Sequence, residues 1–128
     1  MNYFIFMSAL ITLVAIIGHC SMGRKEYLKP VLDSDIDIVP KKVMQTFFHY
    51  MSVFLVLSMI ILLAGSHELC PMYEYVHNMI RFIGIAYGFF ALTSFIIALT
   101  SGVSGGVLKM FQWLFWAFIA AFAIIGTL

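Results

Sequence analysis

The stretch "VMQTFFHYMSVFLVLSMIILLA", residues 43–64, decides the class of fold. It contains no Asp, Glu, Lys or Arg. At 1.5 Å of rise per residue, about 20 residues of helix cross the roughly 30 Å hydrocarbon core of a bilayer. Lipid offers the backbone no hydrogen-bond partners, so a segment within it must bond to itself. The stretch therefore predicts a membrane-spanning α-helix.

The composition of the whole chain agrees with this interpretation. Hydrophobic residues make up 63% of the 128 residues and charged residues only 10%, whereas a soluble domain has about 25% charged residues. A chain this apolar needs membrane lipids as its solvent. The net charge of +1 excludes a nucleic-acid partner, because it cannot neutralise a row of phosphates.

Four apolar runs have the length of a membrane span, and each predicts one helix. The predicted spans are residues 3–20, 43–64, 79–100 and 107–127. The connections at residues 21–42 and 65–78 are short, which predicts antiparallel neighbours in an all-α, single-domain, four-helix up-down bundle. Pro30 is expected to end the first helix soon after it leaves the membrane.

The basic residues predict how this bundle is oriented. The first connection carries Arg24, Lys25, Lys29, Lys41 and Lys42. A further lysine follows the third helix, and residues 65–78 contain no Lys or Arg. Because Lys and Arg collect in cytoplasmic loops, residues 21–42 are predicted in the cytoplasm. The loop of residues 65–78 and both termini are then outside.

Small residues four positions apart predict close contacts between helices. Gly84 and Gly88 form a GxxxG step, and Ala117 and Ala121 form a second pair with this spacing. Small side chains let two helix backbones approach closely. These faces either close the bundle within one chain or form the seam of a homo-oligomer, and the sequence leaves both possibilities open.

Two histidines are the first candidate ligand residues. His19 ends the first predicted helix, and His49 lies about two turns into the second. Because these helices run in opposite directions, the two imidazoles are expected at a similar depth on the cytoplasmic side. Such a pair can bind a haem iron axially or share a transition metal. Each imidazole can equally serve as a structural residue by bonding a backbone carbonyl.

A second group of polar residues occupies the predicted external loop and the start of the third helix. It consists of His67, Glu68, Cys70, Glu74, His77 and Arg81. His, Cys and carboxylate groups are ligands for zinc and copper, but their spacing here matches no closed structural metal site. The favoured interpretation is a solvated loop beside an arginine that reaches the interface or pairs with a nearby glutamate.

Motifs for catalysis are absent from the sequence. No acidic residue lies within a predicted span, where a proton-coupled exchanger usually carries one. The chain also has no CxxC pair and no phosphate-binding loop. These observations favour a non-enzymatic protein and identify no catalytic residue.

Short motifs in the first part of the chain resemble those of a group of small uncharacterised bacterial inner-membrane proteins with four helices. The motifs are His19–x–x–x–Gly23–Arg24, Leu28–Lys29–Pro30 and the aromatic–His pair Phe48–His49. The resemblance covers the first helix and the start of the second. It implies a location in the bacterial inner (cytoplasmic) membrane and makes His19 and His49 the first residues to test, but it carries no activity.

The leading functional hypothesis is a non-enzymatic membrane protein that forms an oligomeric pore or carrier, or accompanies a larger membrane complex. Its partners would be membrane lipids together with further copies of the chain or another membrane protein. The sequence identifies no cofactor for this function, and haem or a transition metal is the open possibility. The alternative is a redox protein that binds haem or a transition metal through His19 and His49.

Overall fold

The computed structural model describes residues 1–67 and 73–128. Of the residues in these two ranges 86% are helical, and no β-strand occurs among them. The all-α class predicted from the apolar runs is therefore confirmed. The segments are α1 (Tyr3–Gly18), a π-helix (His19–Leu28), α2 (Lys29–Asp33), α3 (Ile38–Ser66), α4 (Tyr73–Thr100), α5 (Gly106–Lys109) and α6 (Gln112–Ile125).

Three helical stretches are long and apolar enough to cross a membrane. They are Tyr3–Asp33, Ile38–Ser66 and Glu74–Thr100, with 31, 29 and 27 residues. At 1.5 Å per residue, each exceeds the roughly 30 Å of a hydrocarbon core. The first three predicted spans therefore lie on helices of sufficient length.

The first helix continues well past its predicted exit from the membrane. α1, the π-helix and α2 form one stretch that ends at Asp33, so the predicted loop of residues 21–42 is mostly helix. Pro30 does not end this helix, because it lies in the first turn of α2, where a helix tolerates proline. The chain leaves the helix at Ser34, whose backbone is extended with ψ of 169°, and α3 begins at Ile38.

The predicted fourth span, residues 107–127, is not one continuous helix. It divides into α5 and α6, because Met110 leaves helical geometry with φ of −104° and ψ of 53°. α6 has 14 residues, and at 1.5 Å per residue this gives about 21 Å, less than the roughly 30 Å hydrocarbon core. The structure therefore has three long helices and one shorter apolar helix at the positions of the four predicted spans.

Two glycines shape the turn that leads from α4 to α5. Gly102 and Gly105 have φ values of 68° and 70°, in the left-handed region that other residues avoid. Beyond this turn the Trp113 indole donates to the Val107 carbonyl at 3.0 Å. The Trp113 ring also packs edge-on against the Phe95 ring of α4, with centroids 5.0 Å apart. The turn thus brings α6 back alongside α4.

Packing centres on α1 and α6. α1 contacts α3 and α6, and α4 contacts α6 and α3. The largest fully buried apolar side chains are Tyr87, Ile5, Leu55, Leu62, Ile80 and Ile119. Two buried hydroxyls are paired: Ser8 Oγ donates to the Ile119 carbonyl at 2.9 Å, and Thr12 Oγ1 donates to the Ser8 carbonyl at 2.8 Å. These bonds offset the free-energy cost of burying a hydroxyl.

Gly84 and Gly88 lie on the face of α4 that packs against α6 of the same chain. A Cβ at Gly84 would lie 2.9 Å from Ile124 Cδ1, and one at Gly88 would lie 4.0 Å from an alanine Cβ of α6. This intramolecular contact is one of the two alternatives that the sequence leaves open. Ala117 is half-buried and Ala121 is exposed on α6.

Asn2 joins three helices at one end of the molecule. Its Oδ1 accepts hydrogen bonds from the backbone N–H groups of Phe4 and Ile5 at 3.2 Å and caps α1. Its backbone N–H donates to the Ser66 carbonyl at 2.8 Å, and its Nδ2 donates to the Gly126 carbonyl at 2.7 Å. The start of α1 and the ends of α3 and α6 therefore meet here.

Candidate functional site

A cavity of about 500 Å³ opens between α1, the π-helix, α3 and the start of α6. This volume lies within the roughly 300–1,000 Å³ typical of small-molecule sites. Much of the wall is aromatic, from Tyr27, Phe48, Phe111, Phe115 and Trp116. Further polar groups come from one imidazole, that of His19, and one carboxamide, that of Gln112. An apolar wall with few polar groups is typical of a site for a small amphipathic molecule.

The π-helix forms one side of the cavity. Its hydrogen bonds span five residues instead of four, as from the Lys29 N–H to the Arg24 carbonyl. π-turns are rare and occur frequently at functional sites. His19, Gly23 and Tyr27 of this segment line the cavity. The π-helix therefore forms part of the cavity wall.

Gly18, directly before the π-helix, also lines the cavity. A Cβ built at Gly18 meets no atom within 4 Å. By contrast, a Cβ at Gly23 would lie 3.7 Å from the Phe48 ring. A larger side chain at position 18 would therefore extend into the open space without a clash at its Cβ.

His19 is held against α3 by hydrogen bonds and by its ring. Its Nε2 lies 3.0 Å from the Phe48 carbonyl oxygen and 3.0 Å from Ser52 Oγ. Because a carbonyl only accepts, Nε2 carries the proton in this arrangement. The His19 ring stacks on the Phe48 ring, with centroids 3.9 Å apart and planes 16° apart. His19 thus fastens the start of the π-helix to α3.

His49 is placed differently from His19. It is exposed on α3, and its ring meets the Phe48 ring edge-on, with centroids 5.9 Å apart and planes 88° apart. The two histidines therefore contact the same phenylalanine, one by stacking and one by its edge. In the part of the chain that the structure describes, no three His, Cys, Asp or Glu side chains group together in a way that could hold a metal ion.

Gln112 is a cavity residue that no sequence motif singles out. It is the first residue of α6 and lines the cavity. Its Oε1 is buried and has no hydrogen-bond partner among the described residues. Buried amides without partners are uncommon, because an unmet hydrogen bond costs free energy. The one signal in the sequence is that Gln112 is the single carboxamide in the apolar run of α6.

Trp116 bounds the cavity on the side of the core. Its ring stacks on the ring of Tyr87 in α4, with centroids 5.6 Å apart and planes 25° apart. Tyr87 is fully buried. Its ring centroid lies 5.5 Å from that of Phe54 and 5.8 Å from that of Phe90. Offset and edge-on aromatic contacts of this kind are favourable packing arrangements. The Trp116 ring in the cavity wall is therefore backed by a closely packed aromatic cluster in the core.

The predicted external cluster contacts several different elements. The His67 ring meets Phe6 of α1 edge-on at 6.3 Å. Arg81 donates to the Thr127 carbonyl at 2.6 Å, and in this way joins α4 to the end of the chain beyond α6. A second Arg81 nitrogen lies 3.4 Å from the side-chain oxygen of Asn78.

Four further residues belong to the predicted external cluster. Glu74 is exposed at the start of α4, and His77 is half-buried on the same helix. Glu68 and Cys70 lie outside the described residues. Arg81 contacts Thr127 and Asn78, and its predicted pairing with a glutamate stays a prediction, because Glu68 is one of the two possible partners.

A ligand in this cavity would be bound by apolar contacts and by hydrogen bonds. Aromatic rings provide most of the apolar surface, while His19 and Gln112 contribute polar atoms. Within the described residues that line it, no Asp, Glu, Lys or Arg is present.

Comparison of the chain with protein-family models, with curated proteins and with solved structures finds no match.

Proposed function

We propose that this chain is a non-enzymatic integral membrane protein that binds a lipid-like molecule in the cavity beside the π-helix. It would act as a carrier, or as the lipid-binding subunit of a larger membrane complex. The observation that carries the proposal is the cavity itself, about 500 Å³ in volume with a mainly apolar wall and polar atoms from His19 and Gln112. Such a wall suits a molecule with an apolar body and one polar end.

The membrane topology belongs to the same proposal. α1, α3 and α4 would cross the bilayer of the bacterial inner membrane in alternating directions, and α5 with α6 would complete a fourth crossing. Three long apolar helices support this arrangement. Five of the seven Lys and Arg residues lie between positions 21 and 42, which favours a cytoplasmic location for that connection, and both termini would then be outside.

The position of the cavity favours entry from the lipid phase. Val14 and Ile17 of α1 line the cavity, and their side chains are 54% and 60% exposed. On a membrane-spanning helix, exposed apolar side chains of this kind face lipid tails. A lipid-like molecule could therefore move sideways from the bilayer into the cavity without passing through water.

An oligomeric pore has less support than a carrier or subunit. The centre of the chain is filled by fully buried side chains such as Ile5, Leu55 and Ile119, so a pore would have to form between copies. Gly84, which suits a close helix crossing, packs against Ile124 of its own chain. One of the two small-residue faces that could join copies is therefore covered within the chain.

Binding of haem or a transition metal through His19 and His49 is the alternative function, since both rings contact Phe48. Coordination through His19 Nε2 would require that atom to lose its proton and its contacts with the Phe48 carbonyl and Ser52. An absorption spectrum and elemental analysis of the purified protein test this alternative. A Soret band or near-stoichiometric metal that disappears in His49→Ala would replace lipid binding as the leading function.

Removal of bound lipid tests the proposed function. A ligand that binds only the native state stabilises it, so delipidated protein should unfold at a lower temperature and recover when lipid is added back. In Gly18→Leu the new side chain occupies the cavity, and the unfolding temperature should not respond to lipid. Ala121→Leu, on the exposed face of α6, should respond like the unmodified protein. The same response in Gly18→Leu as in the unmodified protein would contradict the proposal.

A further inference from the structure

We infer that the outward side of the pair formed by the first helical stretch and α3, opposite the cavity, binds the headgroup of an anionic phospholipid. The site, which we call the basic face, consists of Arg24, Lys29, Lys41 and Lys42. Lys41 is half-buried and the other three are exposed. The site is separate from the cavity, and it depends only on the proposed membrane location of the chain.

The two helices of this pair run antiparallel in a defined register. The Asn2 N–H donates to the Ser66 carbonyl near one end, and His19 Nε2 lies 3.0 Å from the Phe48 carbonyl oxygen near the other. Counting onward from the second contact along both helices brings Lys29 within about one helical turn of the level of Lys41. The basic residues of the two helices therefore meet at the same end of the pair.

Arg24 lies on the side of the pair that faces away from the cavity. Gly23 is directed at α3, because a Cβ there would lie 3.7 Å from the Phe48 ring. Successive residues of a right-handed helix rotate in one sense about its axis. Met22, directly before Gly23, lines the cavity, so Arg24, directly after Gly23, is on the opposite side.

The same geometry places Lys42 on the side of Arg24. Phe48 of α3 contacts His19, and His49 directly follows it and is exposed. In two antiparallel helices, the residues that directly follow the contact residues lie on one side of the pair. Lys42 precedes His49 by seven residues, about two turns, and so shares its direction. Lys41 stands in the same relation to Phe48, at the boundary with the first helical stretch.

The π-helix brings Arg24 and Lys29 to the same side. The Lys29 N–H donates to the Arg24 carbonyl, and such a bond between residues five apart closes one turn of a π-helix. In an α-helix, residues five apart point in directions that differ by about 140°. The unusual backbone thus stacks two cations roughly one turn apart on the basic face.

The charges of the basic face are free to meet an external anion. Among the described residues, none of its four side chains forms an ion pair. The neighbouring Lys25 pairs with Glu26 at 3.8 Å and is not part of the site. Asp33, Asp35 and Asp37 are exposed at the tip of the hairpin, further from the bilayer. Cations gathered on one surface raise the local concentration of anions.

An apolar surface continues this side of the pair toward the middle of the bilayer. Leu13 directly follows the buried Thr12 of α1, and Val56 directly follows the buried Leu55 of α3; both Leu13 and Val56 are exposed. They lie roughly 15 Å from Arg24 along the helices. Cations at one level and apolar side chains below them match the phosphate and the acyl chains of one lipid. A free phosphate or an acidic protein segment would use the cations alone.

The experiment compares two phospholipids with the same acyl chains, phosphatidylglycerol and phosphatidylcholine. Each is titrated into Gly18→Leu in detergent, and lipid adducts are counted by native mass spectrometry. The new side chain fills the cavity, so the adducts report on the surface. Lipid on this open surface exchanges with detergent, and it is therefore measured by addition rather than by retention during purification. We expect a saturable phosphatidylglycerol adduct that binds at least roughly tenfold more tightly than phosphatidylcholine, because several cations contribute.

Substitutions within the same background assign the preference to the basic face. Arg24→Gln should weaken phosphatidylglycerol binding about fivefold and leave phosphatidylcholine unchanged, while Arg24→Lys should keep most of the preference. Lys109→Gln is the matched control, since it removes the same charge from an exposed lysine on α5, which packs on α4. It should leave the binding of both lipids unchanged. Circular dichroism checks that each variant keeps its helices.

The outcomes are distinct from those that test the cavity. Equal binding of the two lipids would overturn the lipid site and leave an acidic protein segment as the partner. Equal losses in Arg24→Gln and Lys109→Gln would overturn it too, because the attraction would then come from net charge. Displacement of phosphatidylglycerol by an equal concentration of inorganic phosphate would assign the cations to a free phosphate instead. The cavity is tested by Gly18→Leu against the unmodified protein, and the basic face by two headgroups within Gly18→Leu, so either can fail alone.

Discussion

His19 Nε2 lies 3.0 Å from the Phe48 carbonyl oxygen, and the two side-chain rings stack with centroids 3.9 Å apart. The contact joins the first residue of the π-helix to the first half of α3. Because His19 and Phe48 both line the cavity, the same contact holds two of its walls together. The imidazole that the sequence presents as a candidate ligand thus has a structural role in shaping the site.

Replacement of His19 by Ala should destabilise the protein. The change removes the hydrogen bonds to Phe48 and Ser52 together with a stacked ring, and we expect a loss of about 1–3 kcal/mol in the free energy of unfolding. Unfolding in detergent, followed by circular dichroism, measures the loss. His49→Ala is the matched control, because His49 is exposed, and should change stability by less than about 0.5 kcal/mol. Equal losses in both variants would contradict the role assigned to His19.

Substitutions at two glycines of α4 should differ in their effect. In Gly84→Ala the new Cβ lies 2.9 Å from Ile124 Cδ1 and 3.3 Å from Ala123 Cβ, so the Ile124 side chain or the two helices must shift, at a cost of about 1–3 kcal/mol. In Gly88→Ala the nearest atom is 4.0 Å away, and the change should be neutral or slightly stabilising. Thermal unfolding gives both values. A fall in oligomeric mass for Gly84→Ala without a change in monomer stability would instead indicate a seam between copies.

Asn2 should contribute more to stability than its position near the first residue suggests. Asn2→Ala removes the cap of α1 and the bond to Gly126, and we expect a loss of about 1–2 kcal/mol. Asn78→Ala is the control, because Asn78 is exposed and its single described contact, with Arg81, is 3.4 Å long. Similar unfolding temperatures for the two variants would show that the Asn2 contacts contribute little.

The proposed orientation is tested by accessibility from outside the cell. Single cysteines at Ser34, between α2 and α3, and at Glu74, at the start of α4, should label differently in a background that lacks Cys20 and Cys70. An impermeant thiol reagent should label the Glu74 position in intact cells, and the Ser34 position only after permeabilisation. The opposite pattern would reverse the assignment of every residue to a membrane face.

The helices were predictable because hydropathy and backbone hydrogen bonding act on whole segments. A run such as residues 43–64 can satisfy its backbone hydrogen bonds within its own segment in lipid only as a helix, and the structure places it within α3. The extension of the first helix through Pro30 depends on local backbone geometry, which composition does not describe. The interruption at Met110 likewise arises at a single residue within an apolar run. A hydropathy value averaged over the run does not detect it.

The candidate site was predictable only in part. His19 stands out because it is a titratable residue at the end of an apolar helix, but its contact with Phe48 depends on how α1 and α3 pack. Gln112 gives a weak signal, because one amide in an apolar helix is equally suited to a bond between helices. Its significance comes from the cavity beside it and from its unpaired oxygen, both of which are properties of the packed chain.

Native mass spectrometry of the protein released from mild detergent tests lipid binding most directly. The unmodified protein and Ala121→Leu should each carry a single adduct with the mass of a lipid-like amphiphile, while Gly18→Leu should appear at the mass of the chain alone. Adducts of the same mass and abundance on Gly18→Leu and on the unmodified protein, or no adduct on any of the three, would contradict a binding site in the cavity.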